Sequence, residues 1–216
     1  MRPAEAYERL IEEIRIRPRL KIAAISGPGE PLANPESFDV MRMIRQHEMS
    51  LKLCISTNGI LVANRLEDLI HLDVETISVS ISTTNPATAQ RIYDWAFIDG
   101  RSMGGREMGE EIVKRQLQGI EHAVNSGIRV KVNTILIPTV NETEMVEISQ
   151  TLSSLGVSIQ NIVPLIPCAD MVELQKPSRL MIMQTRNMAS RHLRQFNHCY
   201  QCRSDVVGIP GHDQML

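Results

Sequence analysis

The chain has 216 residues, of which 43% are apolar and 22% charged, with a formal net charge of −2. That is enough for one substantial core of ordinary globular composition, and it excludes a broad electrostatic pull toward nucleic acid or an anionic membrane. No apolar run approaches the roughly 20 residues of a membrane span. Residues 1–17 mix Glu and Arg and lack the apolar stretch of a secretory signal, so a cytoplasmic location is expected. The four cysteines, Cys54, Cys168, Cys199 and Cys202, are then read as thiols for metal or redox use rather than as disulfides.

In chain order, residues 4–16 predict a helix with Leu10, Ile11 and Ile14 on one face. Residues 21–26 (KIAAIS) predict a buried strand. Residues 35–47 predict a helix opened by Pro35, residues 51–56 (LKLCIS) a strand, and residues 64–71 a short helix. Residues 75–82 (ETISVSIS) predict a third strand with β-branched residues at alternate positions. Residues 93–107 (YDWAFIDGRSMGGRE) hold the only tryptophan, Trp95, and read as a long loop or lid. Residues 106–126 predict a long helix stopped by Gly127, and residues 128–137 (IRVKVNTILI) a strand. Asn141 and Glu144 have capping-box spacing, opening a helix that runs to residue 155. A strand over 157–166 and a helix over 178–195 complete the pattern. Strand and helix alternate about five times, which implies a parallel sheet, either open and doubly wound or part of a (β/α) barrel. In both, ligands meet the C-terminal ends of the strands.

Those ends carry chemistry. The first strand leads into Ser26-Gly27-Pro28-Gly29-Glu30-Pro31, where glycines let a ligand approach the backbone and a carboxylate could hold an ammonium group. The same residues suit an ordinary strand-to-helix turn. The second strand ends in Cys54-Ile55-Ser56-Thr57-Asn58-Gly59, with Cys54 and Ser56 on one side. An isolated cysteine also serves as a small buried hydrophobe. Ser78, Ser80 and Ser82 share a face of the third strand. Arg129, Lys131 and Asn133 share a face of the fourth, against Val130, Val132 and Thr134. Polar faces on central strands fit a polar barrel lumen, and equally a half-exposed third strand and a solvent-facing fourth strand at the sheet edge. In the tail, His198-Cys199-Tyr200-Gln201-Cys202 places two thiolates within reach of one metal or cluster. The pair follows a helix rather than opening one after a strand, which argues against a thioredoxin-like role.

Taken in order, residues 27–36 (GPGEPLANPE), 51–59 (LKLCISTNG), 105–120 (GREMGEEIVKRQLQGI), 131–142 (KVNTILIPTVNE), 161–166 (NIVPLI) and 198–208 (HCYQCRSDVVG) resemble the radical S-adenosylmethionine (SAM) domain of the NifB family of nitrogenase cofactor biosynthesis proteins. The resemblance covers nearly the whole chain. It implies a partial (β/α) barrel of five to six parallel strands over residues 1–195, with a cluster-binding tail over 196–216. It assigns Gly27, Gly29 and Glu30 to SAM as the counterpart of the superfamily's GGE segment, and places Ser56, Asn58, Ser80, Ser82, Asn133 and Ile135 around SAM. Cys54 resembles a ligand to one [4Fe–4S] cluster, and Cys199 and Cys202 ligands to another. The implied reaction fuses two such clusters with a carbide drawn from a SAM methyl group into the cofactor precursor. The implied partners are cofactor assembly and carrier proteins and an electron donor such as ferredoxin or flavodoxin.

The sequence departs from that pattern in definite ways. The superfamily's C-x3-C-x2-C segment, which holds the SAM-cleaving cluster, does not occur. On the resemblance the barrel's first strand is missing, since residue 1 falls inside what looks like the following helix. Ser82 stands where the family carries Asn, and Cys168 is left to packing. The chain is therefore expected to be either a piece of a longer protein or a product without SAM cleavage, a cluster carrier or decaying duplicate. The remaining alternative is an unrelated barrel enzyme using Glu30 and the lumen for acid–base work. An unpaired strand edge predicts poor solubility of the isolated product.

Overall fold

The apolar stretches separate into fourteen helices and strands along residues 1–196. The computed structural model describes residues 1–27, 29–48 and 50–196, and the backbone of 206–207 and 214–215. They are α1 (Pro3–Ile16), β1 (Ile22–Ile25), α2 (Pro35–His47), β2 (Lys52–Thr57), α3 (Leu66–His71), β3 (Val74–Ser80), α4 (Pro86–Ile92), β4 (Trp95–Ile98), β5 (Arg101–Gly104), α5 (Gly105–Asn125), β6 (Arg129–Leu136), α6 (Met145–Ser154), β7 (Ile159–Pro164) and α7 (Arg179–Ala189). Val206–Val207 and Gln214–Met215 pair as short antiparallel strands, β8 and β9. The main sheet runs β1-β2-β3-β6-β7, parallel throughout.

The two faces of this sheet differ, and the alternation along each strand causes the difference. On one face Leu53, Ile55, Ile77, Val79, Val130, Val132 and Ile162 form a single core with Phe38 and Ile44 of α2, Leu69 of α3, Ile120 of α5, Ile148 and Leu152 of α6, and Ala189 of α7. Tyr7, Leu10 and Ile14 of α1 pack against the same cluster. On the other face Ile22, Lys52, Ser80, Arg129 and Ile135 are exposed, and Cys54, Ser56, Lys131 and Asn133 half-buried. A doubly wound sheet buries both faces. This one carries its helices on one side only, which is the wall of a partial (β/α) barrel with its lumen side open.

Three elements differ from expectation. Asn85 accepts from the Ala87 amide at 2.9 Å and, with Pro86 at the first position, starts a helix, α4, in a stretch without helical periodicity. The 93–107 stretch is a hairpin rather than a loop. Asp99 and Gly100 take positive φ of 51° and 80° between paired Ile98 and Arg101, the backbone of a tight primed turn. Its inner face, Ile98 and Met103, packs on Met108 and Ile112 of α5. The last helix ends at Ala189 instead of residue 195, because the chain is drawn back to the sheet. Gln160 N donates to Arg194 O at 2.9 Å, Phe196 N donates to Gln160 O at 2.7 Å, and Gln195 bridges in parallel to Gln160. That bridge gives the sheet a sixth position. Cys168, assigned to packing, is exposed.

The expected capping box at Asn141 and Glu144 does not form, because both side chains have stronger tertiary partners. Asn141 is wholly buried. Its Nδ2 donates to Ser82 O (2.7 Å) and Ile135 O (2.8 Å), and its Oδ1 accepts from Ile137 N (2.8 Å). Glu144 accepts from the hydroxyls of Thr83 (2.5 Å) and Thr88. Asn141→Ala would strand two carbonyls and one amide in the interior. We expect a loss of about 3 kcal/mol in thermal or denaturant unfolding, and no rescue by Asn141→Asp, which has no donor to offer the carbonyls.

Candidate functional site

The loop after β1 turns back through Glu30, whose carboxylate is the knot of the strand tips. Oε1 accepts from Thr57 Oγ1 (2.6 Å) and from Leu32 N (3.0 Å), and Oε2 from Asn58 N (2.7 Å). Three of the roughly four acceptor directions of a carboxylate are thus used within the protein. Gly27 and Gly29 are exposed, and no atom stands within 4 Å of where a Cβ would be. Pro28 between them lies outside the described residues.

The tip of β2 is equally constrained. Asn58 Oδ1 accepts from Ile60 N at 2.9 Å, and Gly59 takes φ +87°. A Cβ on Gly59 would fall 2.6 Å from Val79 Cγ1, so only glycine fits. The buried Gln116 of α5 reaches under this turn, donating from Nε2 to Asn58 O (2.6 Å) and Ser80 O (3.1 Å). Tyr93 also bonds to Gln116. Burial pushes the Tyr93 phenol above its ordinary value, and the Gln116 bond opposes part of that shift.

On the open face the strands lie in register as rows. Ala24, Cys54, Thr76 and Arg129 form one, Ser56, Ser78 and Lys131 the next, and Ser80, Asn133 and Asn161 the third. Cys54 thus faces the open side, half-buried, and not the helices. From Cys54 along β2 to Thr57, where Glu30 is bound, is about 10 Å at 3.3 Å per residue. Side chains link the second and third rows. Asn161 Nδ2 donates to Asn133 Oδ1 (3.1 Å), and Asn133 Nδ2 donates to Ser78 Oγ (3.2 Å). Beyond it, Ile135 N donates to Ser82 Oγ at 3.4 Å. At the opposite end of the strands Lys52 and Arg129 both pair with Glu75.

The strand-tip residues singled out in the sequence therefore gather along one rim, and Ser56, Ser80, Asn133 and Ile135 stand on the open face. Asn58 and Ser82 are occupied chiefly in local structure. Cys199 and Cys202 lie outside the described residues. Asn161 and Gln116 escaped the sequence reading. An Asn inside the apolar run NIVPLI and a Gln on the apolar stripe of α5 were the available signals. Among the described residues no group of three or more His, Cys, Asp or Glu side chains could hold a metal ion, and no helix is long and apolar enough to cross a membrane.

The comparison with protein families matches residues 1–152 to the radical SAM superfamily. FeMo cofactor biosynthesis protein NifB of Klebsiella pneumoniae is 34% identical over 98% of this chain and 47% of its own length. The proteins of the same name from Methanocaldococcus infernus and Methanocaldococcus jannaschii are 33% and 32% identical, over 100% and 97% of this chain and 71% and 69% of theirs. The chain thus spans about half of the Klebsiella protein and about two thirds of the other two. A radical SAM methyltransferase from Sphaerobacter thermophilus shares the fold with a TM-score of 0.63 at 18% identity, covering 91% of this chain and 57% of its own. Streptococcus suis SuiB bound to S-adenosylmethionine gives 0.56 at 15% identity, covering 82% and 40%. At such identities the two structures speak for the fold alone. The sequence matches remove the reading as an unrelated barrel enzyme: the chain belongs to the radical SAM superfamily and, within it, to the family of FeMo cofactor biosynthesis protein NifB.

Proposed function

We propose that this chain works as a radical SAM protein of FeMo cofactor biosynthesis, holding SAM against the strand tips while iron–sulfur clusters are brought to the open face and fused into the cofactor precursor. SAM and [4Fe–4S] clusters are the cofactors that family membership implies. The observation that carries the reading is the polar ladder Ser78–Asn133–Asn161, buried at Ser78 and Asn161 and half-buried at Asn133, on the face of the sheet opposite the one sealed by helices. It fits a polar ligand: among the described residues the buried Oδ1 of Asn161 has no hydrogen-bond partner, and Gly27 and Gly29 leave room for one. One SAM bound there would supply the methyl group for the central carbon, and a second, cleaved with an electron from the donor protein, the radical that strips hydrogen from it.

In this reading the chain's own residues bind and orient. Glu30 fixes the loop that carries Gly27 and Gly29 to the tip of β2, and Ser80, Asn133 and Ile135 line the ligand's flank. Cys54 offers a thiol to a substrate cluster from within the open face, and Cys199 and Cys202 to a second. The SAM-cleaving cluster is assigned to no residue of this chain, since the described residues hold no three-ligand group and the sequence no C-x3-C-x2-C. The second reading is a cluster carrier that binds SAM or iron without radical chemistry. Assembly and carrier proteins and a small electron-transfer protein are the partners either reading calls for.

Anaerobic reconstitution of the chain with iron and sulfide, combined with equilibrium dialysis of labelled SAM, tests both. We expect SAM binding and iron uptake, with less iron taken up by Cys54→Ala. A chain that takes up neither sinks the proposal, and release of 5′-deoxyadenosine separates the enzyme from the carrier. Glu30→Gln places an amide NH2 against donors that now face a carboxylate. We expect it to cost about 1–2 kcal/mol of stability and to weaken SAM binding about tenfold, measured by thermal unfolding and dialysis.

A further inference from the structure

We propose that the cleft between α7 and the β7 edge of the sheet is a docking groove for an acidic segment of a partner protein. The cleft encloses about 1010 Å3, and its walls include Pro164 of β7, Lys176 and Pro177 ahead of α7, and Arg179, Met183 and Arg186 of α7. At 3.6 residues per turn the three α7 residues fall on one stripe. It is turned from the side on which Thr185 and Ala189 are buried. No Asp or Glu lines the cleft.

Charge is segregated here. Of the chain's 23 Lys and Arg, five fall in residues 174–196, and none of its 25 Asp and Glu does. The rest of the chain therefore carries 18 basic against 25 acidic residues, a net −7. Elsewhere ten cations sit in ion pairs. Among the described residues Lys176, Arg179, Arg191 and Arg194 meet no carboxylate at ion-pairing distance. Lys176 and Arg179 also stand at the start of α7, which has no acidic residue in its first turn. The helix dipole is positive at that end and adds to their field.

The form of the cleft selects the occupant. Its volume is at the top of the range for small-molecule pockets, roughly 300–1,000 Å3, and Lys176, Arg179 and Met183 in its walls are exposed, so it is a groove rather than a chamber. Strand addition is blocked. Arg186 donates from Nε and Nη2 to Ile162 O (2.9 and 2.6 Å), Pro164 has no N–H, and Gln195 already bridges to Gln160. The occupant must bind through side chains. Leu180 and Met183, 57% and 63% exposed, offer apolar contact beside the cations, which suits a helix with carboxylates on one side and apolar residues on the other. A twofold dimer through this face would set cations against cations. A nucleic acid would leave Leu180 and Met183 unused, and the net −7 elsewhere opposes a long polyanion. Because α7 packs on the sealed face of the sheet, the groove stands apart from SAM and cluster binding and adds a place where a partner is met.

The probe is a fluorescein-labelled peptide of about 20 residues, enough to lie along α7, with Glu on one helical face and Leu on the other. Its Gln-for-Glu twin and a single-stranded oligonucleotide of equal charge are the comparisons. Fluorescence anisotropy with the full chain reads binding at about 50 and about 200 mM salt. We expect the Glu peptide to bind, its twin to bind about tenfold more weakly, and salt to weaken the Glu peptide severalfold. Lys176→Glu with Arg179→Glu should weaken it at least about tenfold, Lys176→Gln with Arg179→Gln by less, and Met183→Ser about threefold. Arg106→Glu with Lys114→Glu, an equal change of charge on α5, should leave it unchanged, and circular dichroism checks that every variant folds. An unbound peptide, equal binding by a folded Lys176→Glu and Arg179→Glu variant, or tighter binding of the oligonucleotide overturns the groove. So does self-association in sedimentation that this variant abolishes. SAM and iron uptake are measured on the same samples: their presence beside a failed groove leaves the function standing, and their absence beside a bound peptide leaves the groove.

Discussion

The strand tips are where this fold would come apart, and three side chains, the half-buried Glu30 and the buried Gln116 and Asn141, prevent it. Backbone groups beyond the last ladder bonds at the strand tips need partners of their own. Glu30 ties the exit of β1 to the tip of β2 through Thr57 and Asn58. Gln116 ties β2 to β3 through Asn58 O and Ser80 O. Asn141 ties β3 to β6 through Ser82 O, Ile135 O and Ile137 N. Each spans one neighbouring pair, so the rim is clamped in series from β1 to β6. At the opposite end Arg45 of α2 does similar work, donating to the carbonyls of Leu51, Leu72 and Asp73 just before β2 and β3.

Everything on the open face depends on this clamping. Cys54, Ser56, Lys131 and Asn133 stand on the face that none of the described helices covers. Their spacing is set by the strand register, and the register is locked by the apolar face that the helices seal. A one-residue slip of β6 would turn Lys131 and Asn133 into the core and Val130 and Val132 out of it. Burial of the valines therefore fixes where the charged and polar groups stand, and packing on one side of the sheet sets the chemistry on the other.

Much of this was legible in the sequence, and the rest fails for identifiable reasons. The alternation RVKVNTIL declares two faces, and the structure keeps both as read. Cys54 and Ser56 fall on the polar side as their spacing requires. The hairpin carried its own sign, Asp99-Gly100 between WAFI and RSMG, but four-residue strands around a single turn signal are too short to outweigh a loop. Asn141 misled because its spacing to Glu144 suits a local cap, while partners from two other strands offered it three bonds instead of one. Gln116 and Asn161 sit in apolar patterns, where a polar residue announces a buried bond but not which one. The ordered set of motifs identified the family where periodicity alone could name only an α/β fold.

The hairpin has a further consequence. Trp95 and Phe97 project from the side away from α5, 68% and 67% exposed, opposite Gly104 and Ser102, which are too small to shelter them. The chain has only seven aromatic residues, and two are spent on this outward ridge. Because Ile98 and Met103 anchor the ridge to a satellite cluster separate from the main core, it is also the part of the molecule whose shape can change with least disturbance to the barrel wall. Replacing Trp95 or Phe97 would thus leave the clamped rim where it stands.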